Sequence, residues 1–154
     1  MNLQVCFFDL GETLVTGARQ WLPNAKSLLA SLKSKGFRLG IASNTANLTP
    51  RQAILDILPT DFDITLFEPS LVLFSSEVGI EKPGKAMFHK AVVAAAALQT
   101  APAIQASQCL YVSENIVETL MAQHVGMRSI RVQTAPNSDL ANLAVKLSEF
   151  ALLT

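Results

Sequence analysis

Apolar and polar positions fall into alternating blocks along the chain. Residues 3–10, LQVCFFDL, are a short, nearly unbroken apolar run, the pattern of a strand covered on both faces. From Asn24 to Lys35 the spacing changes: Ala25, Leu28, Leu29 and Leu32 repeat as one face of a helix, with Pro23 suited to its first turn and Gly36 to its stop. Residues 37–43 (FRLGIAS) form a second strand-like run. Thr49-Pro50 then reads as an N-cap with proline at the first helical position, opening a helix to about Leu58. Leu71 to Phe74 is a third apolar run. A helix comes next, from about Gly84 to Leu98, with Met87, Phe88, Ala91, Val92 and Ala95 on one face. Cys109 to Val112 is a fourth strand. Ile116, Val117, Leu120 and Met121 then mark the apolar face of a helix ending near Gly126. MRSIRV, residues 127–132, is a fifth strand. Leu140, Leu143, Ala144, Leu147 and Ala151 predict a last helix from about Ser138. Residues 59–70 and 99–107 carry no clear period and are read as loops.

Strands alternating with helices predict an α/β fold in which a parallel sheet of about five strands is covered by helices on both faces. No repeat or linker interrupts it, so residues 1–154 are read as one domain. In such sheets ligands bind beyond the carboxyl ends of the strands, near the switch in strand order. The first strand run ends at Asp9, followed by Leu10-Gly11-Glu12-Thr13. The second ends at Ser43-Asn44. A polar loop from Ser75 to Pro83, containing Lys82, comes after the third. The fourth leads into Ser113-Glu114-Asn115, with Glu118 one helical turn beyond Glu114. Parallel strands would bring Asp9, Ser43, Lys82, Glu114 and Glu118 to one rim.

A carboxylate at the end of a buried strand is costly unless it is solvated, paired or bound to a cation. Lys82 alone cannot balance Asp9, Glu12, Glu114 and Glu118. A divalent cation with oxygen ligands would, and magnesium suits a sparse carboxylate site that keeps some of its waters. Magnesium, a lysine and a hydroxyl together handle phosphoryl oxygens. Asp9 is then placed to attack phosphorus and form an aspartyl-phosphate.

Composition narrows the field. Half of the 154 residues are hydrophobic and 16% are charged, against about 25% charged in an ordinary domain. The chain can therefore bury enough surface to fold, and part of what stays outside is apolar enough to meet a partner. Twelve basic and twelve acidic residues cancel. Nothing in that balance marks a binder of nucleic acid or of an anionic membrane. No run of 18 apolar residues spans a bilayer, and the start MNLQVCFFDL lacks the basic lead and long apolar core of a signal peptide. Cys6 and Cys109 both sit in apolar strand runs, which points to reduced thiols and a cytoplasmic chain.

Four of these segments together resemble the haloacid dehalogenase (HAD) superfamily, whose members are mostly phosphatases. Asp9-Leu10-Gly11-Glu12-Thr13 is similar to its first motif, D-x-D-G-T. Ile41-Ala42-Ser43-Asn44 resembles the second, an apolar strand closed by Ser or Thr. The stretch from Ser75 to Pro83 resembles the third in its lysine-proline pair. Ser113-Glu114-Asn115-Ile116-Val117-Glu118 is similar to the fourth, G-D-x-x-x-D, and Val125-Gly126-Met127 resembles the usual ending of that motif's helix. Four motifs in register over nearly the whole chain are far more specific than one. The resemblance implies a three-layer Rossmann-like sandwich and a phosphorylated substrate. It implies that Asp9 is nucleophile and metal ligand and that Gly11 lends a carbonyl to magnesium. Ser43 would bond the phosphoryl group with backbone help near Asn44. Lys82 would neutralise charge, Glu114 would bind the metal and Glu118 would support it.

The sequence departs from that pattern at telling places. The second aspartate, which protonates the leaving oxygen and later activates water, is Gly11 here. A general acid or base contributes a factor of about 10²–10⁴, so weak turnover is expected unless Glu12 substitutes. Glutamate replaces aspartate at 114 and 118, and Ser113 replaces glycine. Nine residues between Thr13 and Pro23 are too few for a folded cap. An uncapped rim suits a bulky substrate, or a second copy of the chain serving as lid, and the loop carrying Arg19 and Trp21 would border it. Two other readings fit the same residues. One is a degenerate HAD fold kept as a binding or regulatory module. The other is carbon–halogen hydrolysis, since some HAD members acting on that bond also lack the second aspartate.

Overall fold

The computed structural model describes residues 2–133, 140–143, 145 and 147. Five strands form one sheet: β1 (Val5–Phe8), β2 (Arg38–Ser43), β3 (Val72–Phe74), β4 (Cys109–Ser113) and β5 (Arg128–Arg131). Their order is β3-β2-β1-β4-β5 and every pairing is parallel. Between them run α1 (Ala25–Ser34), α2 (Arg51–Leu55), α3 (Ser75–Val78), α4 (Lys85–Ala96) and α5 (Ile116–His124). This is the parallel, doubly covered Rossmann-like sheet the alternation predicts. The chain leaves β1 towards one edge and returns at β4 towards the other. The switch in strand order therefore lies between β1 and β4, where the carboxyl ends of strands open a crevice.

Alternation along β1 divides the core in two. Cys6 and Phe8 face a cluster with Leu28, Leu29 and Leu32 of α1 and with Leu140, Leu143 and Leu147. Val5 and Phe7 face the other side, against Met87, Phe88, Ala91 and Ala95 of α4. Cys6 and Cys109 thus lie on opposite faces, and both are free thiols. Packing at Gly40 is so close that a β-carbon there would sit 2.6 Å from Phe7 Cδ1 and 3.0 Å from Leu71 Cβ. Among the described residues no helix is long and apolar enough to cross a membrane.

Several local expectations change. The cap at α2 is Pro50 in an extended conformation, with no side-chain cap bond, and the helix spans only Arg51–Leu55. Thr49 therefore lies outside the helix, which starts one residue later than predicted. Asn24, in the left-handed region at φ 67°, precedes α1 and displaces Pro23 from its first turn. The polar segment after β3 folds as the short helix α3, and short 3₁₀ turns at Ile64–Leu66, Pro69–Leu71 and Ala106–Gln108 occupy segments read as loops. Most informative is α5, where three of the four residues of the predicted apolar face are turned outward: Ile116, Val117 and Leu120 are 51%, 52% and 57% exposed, while Met121 is half-buried against the core. Glu118, Thr119 and Ala122 are buried instead. The described part of the last predicted helix is helical, with Leu140, Leu143 and Leu147 buried. Ser138, Ala144 and Ala151 lie outside the described residues.

Candidate active site

Asp9 comes directly after the last residue of β1, and its amide donates to the Val112 carbonyl of β4 at 3.0 Å. The strand register thereby carries the carboxylate to the crevice between those two strands. Asp9 Oδ1 accepts from the amide of Leu10 at 2.8 Å and lies 2.9 Å from Lys82 Nζ. The same ammonium contacts Glu118 Oε2 at 2.8 Å and donates to the Tyr111 hydroxyl at 2.9 Å. Tyr111 donates in turn to Glu118 Oε2 at 2.6 Å, and Ser113 Oγ donates to it at 3.1 Å. Only 1% of the Lys82 side chain is exposed, so this cation depends on its partners rather than on water. That network explains the rotation of α5. Turning Glu118 inward to meet Lys82 turns Ile116, Val117 and Leu120 out.

The neighbouring residues brace the lysine. Asn44 Nδ2 donates to the Lys82 carbonyl at 2.8 Å, and Asn44 Oδ1 accepts from the Lys82 amide at 2.8 Å. One side chain just beyond β2 thus holds both backbone groups of the residue that supplies the charge. Ser75 Oγ accepts from the Thr45 amide at 2.8 Å, tying the loop after β2 to α3. Ser43, the last residue of β2, is 5% exposed and lies on the strand adjacent to β1. Thr13 Oγ1 accepts from the Glu114 amide at 3.1 Å, and Arg131 Nε donates to the Glu114 carbonyl at 2.8 Å. Asn115 caps α5, its Oδ1 accepting from the amides of Val117 and Glu118.

Charge is unbalanced here. Burial pushes the Asp9 carboxyl above the ordinary aspartate value and Glu118 adds to the rise, while the Lys82 ammonium pulls it back. Burial also raises Glu114, with Asp9 and Glu118 adding repulsion and Arg131 and Lys82 opposing it. The Tyr111 hydroxyl is held well above its ordinary value by burial and by the two neighbouring acids, so it stays a neutral donor. Among the described residues no group of three His, Cys, Asp or Glu side chains is arranged to hold a metal. Glu118 Oε2 is occupied by Lys82, Tyr111 and Ser113. Asp9 and Glu114 are near enough to repel one another, and a sparse pair of hard oxygen donors is the kind of set that magnesium suits, because it keeps several waters.

Asp9, Lys82 and Glu118 are thus joined through direct contacts to the lysine. Glu114 lies within electrostatic reach of all three. Gly11 and Glu12 are exposed on the turn beyond Asp9, Glu12 at φ 55°, with its amide donating to the Val15 carbonyl. Arg19 is exposed and its Nε reaches the Leu58 carbonyl at 3.5 Å. Trp21 stacks on Phe62 and donates to Asp61. His89 and His124 are exposed on α4 and α5. Sequence reasoning missed Tyr111, which looked like a plain strand residue. It also missed the bracing by Asn44 and the pairing of Glu118 with lysine. A polar-tipped aromatic two residues before Ser113 was the available signal, since a buried tyrosine hydroxyl needs a partner.

The site thus sets a buried carboxylate against a buried lysine at the switch point of a parallel α/β sheet. The haloacid dehalogenase-like hydrolase family matches residues 8–126, and the chain belongs to that family. Among solved structures it is similar to an uncharacterised protein from Listeria monocytogenes (25% identity, 96% of this chain and 98% of that one covered, TM-score 0.73). It is also similar to a HAD phosphatase from Thermococcus onnurineus (14% identity, 94% and 98% covered, TM-score 0.69). A third is a HAD family enzyme from Bacteroides thetaiotaomicron, solved as an Asp-to-Ala variant with magnesium and inorganic phosphate (13% identity, 88% and 97% covered, TM-score 0.66). No curated protein matches the chain by sequence.

Proposed function

We propose that the chain is a single-domain, uncapped phosphatase in which Asp9 is the nucleophile. The observation that carries this reading is the contact of Asp9 with an ammonium that is itself buried, at the switch point of the sheet. Asp9 attacks phosphorus, the ester P–O bond breaks, and the leaving oxygen departs with the bonding pair. Water then attacks the aspartyl-phosphate and releases inorganic phosphate. Lys82 and the Ser43 hydroxyl offset charge on the phosphoryl oxygens, and the backbone around Asn44 adds donors. Glu118, Tyr111 and Asn44 hold Lys82 in place. Asp9, Glu114 and the Gly11 carbonyl are the donors that would hold magnesium, which when bound neutralises phosphoryl charge. The bound metal in the Bacteroides relative supports that choice. Gly11 leaves no carboxyl at the position that protonates a leaving group, so esters whose leaving groups are stable as anions are the expected substrates.

The test is hydrolysis of p-nitrophenyl phosphate with magnesium, compared with Asp9→Asn, together with borohydride trapping of an acid-stable acyl-phosphate. Full activity in Asp9→Asn ends the reading. A protein that neither hydrolyses the ester nor melts higher with magnesium is instead a HAD-fold binding module. One observation favours carbon–halogen hydrolysis as a second reading: no trio of His, Cys, Asp or Glu side chains is set for a metal among the described residues. Halide release that persists in a chelator would select it.

A further inference from the structure

We propose that the cleft beside Ser43 binds the leaving group, and that its chemistry selects phosphate monoesters of apolar aryl alcohols. This deepens the phosphatase reading and rests on it. The cleft has a volume of about 530 Å³ and runs from Gly11 and Ser43, at the phosphoryl end, out between the turn after β1 and α2. Its walls are Leu10, Val15, Leu48, Ile54, Ile57 and Leu58. Ile57, 51% exposed, lines the cleft and offers an apolar surface to a bound group.

Six lining side chains are polar or charged, Glu12, Thr16, Arg19, Ser43, Asn44 and Thr45, and four of them bond within the chain. Both polar atoms of Asn44 bond the backbone of Lys82, and Thr45 Oγ1 bonds Ser76. Arg19 Nε reaches the Leu58 carbonyl, and Thr16 Oγ1 accepts from the Ala18 amide. A sugar or nucleotide seated here would lose hydration of its hydroxyls against walls largely of aliphatic carbon, at a cost that side chains already bonded within the chain repay only in part. A flat aromatic body would gain from the same wall. Chemistry at the other end agrees. With glycine at position 11, no side chain there protonates the departing oxygen, and a phenolate departs without that help whereas an alkoxide does not. Shape and acid–base chemistry, two separate features of the site, thus select the same leaving group.

The experiment compares 2-naphthyl phosphate with phenyl phosphate, whose leaving groups are similarly acidic, and with a sugar phosphate. The expected kcat/KM for the naphthyl ester exceeds that for phenyl by roughly tenfold, carried by KM, with the sugar ester lowest. Ile57→Asp, at an exposed position, should collapse the naphthyl-to-phenyl ratio towards one. Val93→Asp, on the exposed face of α4, should leave it intact. Equal kcat/KM for naphthyl and phenyl esters, or a preference for the sugar ester, overturns the proposal. A second arm removes dependence on turnover: calorimetric binding of 2-naphthylmethylphosphonate against methylphosphonate. If no ester is hydrolysed but the naphthyl phosphonate binds about tenfold tighter and loses that advantage in Ile57→Asp, the cleft assignment stands and the phosphatase reading falls. Equal binding of the two phosphonates overturns the cleft assignment itself.

Discussion

Replacing Lys82 by methionine removes one buried charge while keeping an unbranched chain of similar length. The ammonium sits 2.9 Å from Asp9 and 2.8 Å from Glu118, and both carboxylates are nearly as buried as it is, their side chains 12% and 9% exposed. At an effective dielectric of about 20, opposite charges some 3 Å apart attract by roughly 5–6 kcal/mol. Two such contacts offset the several kcal/mol needed to take each ion out of water. Without the lysine the attraction vanishes and the desolvation cost of the acids stays, so Lys82→Met should lose about 3–5 kcal/mol of stability near neutral pH. The loss must depend on pH with a definite sign. Asp9 is already raised by burial against the pull of Lys82, and removing that pull raises it further. An acid whose folded value exceeds its unfolded value weakens the fold once ionised, and the penalty fades as pH falls through the folded value. The deficit of the variant should therefore be larger at about pH 8 than at about pH 5, because falling pH moves towards protonation of Asp9. Urea unfolding in a chelator at the two pH values measures it. Adding Glu118→Gln to Lys82→Met removes the second orphaned charge and should recover part of the loss, a coupling that a double-mutant cycle reads directly. A deficit below about 1 kcal/mol, or one that grows as pH falls, would refute the charge-balance reasoning.

The same geometry makes three more outcomes testable. A β-carbon at Gly11 meets nothing within 4 Å, so Gly11→Asp should fold normally and, by restoring a general acid, raise kcat on alkyl phosphates at least about tenfold, against the 10²–10⁴ such groups typically contribute; unchanged alkyl-ester kinetics would count against the missing acid as the limiting defect. Asn44→Ala frees both backbone groups of Lys82 and should lower kcat about tenfold or more with a modest loss of stability, each buried bond contributing about 1 kcal/mol; steady-state kinetics beside thermal melting separate the two effects. Gly40→Ala drives a methyl to within 2.6 Å of the Phe7 ring and should cost about 1–3 kcal/mol in urea unfolding without altering substrate preference.

The legible and illegible parts of the sequence divide by the kind of constraint that sets them. Burial of a strand on both faces is a local property of its side chains, so VCFF, RLGIAS and CLYVS declare themselves, and their parallel order brings Asp9 to the end of β1 beside β4 without further information. α1 is equally plain, because its four buried residues answer only to the core. α5 is the opposite case. By apolar spacing alone, Ile116, Val117 and Leu120 should face inward, and the helix shows them to water. The decisive term is electrostatic: the Lys82 ammonium, fixed by Asn44 from another part of the chain, needs a second carboxylate, and a helix turned to present Glu118 provides it. Asp9 alone would leave a buried cation with half of its present carboxylate partners, a loss of about 3–5 kcal/mol, whereas Ile116, Val117 and Leu120 are only about half exposed and forfeit about half of the roughly 1.5–3 kcal/mol that full burial of each would bring. Periodicity therefore fails where long-range ion pairing exceeds local burial, which is why the misread helix face belongs to the candidate site. That conflict also makes α5 diagnostic. In Lys82→Met with Glu118→Leu, nothing polar between those two positions holds the helix in its present rotation, and protection of Ile116, Val117 and Leu120 from solvent, read by methyl NMR shifts, should increase. Unchanged exposure of those three residues would place the cause of the rotation in backbone packing rather than in charge.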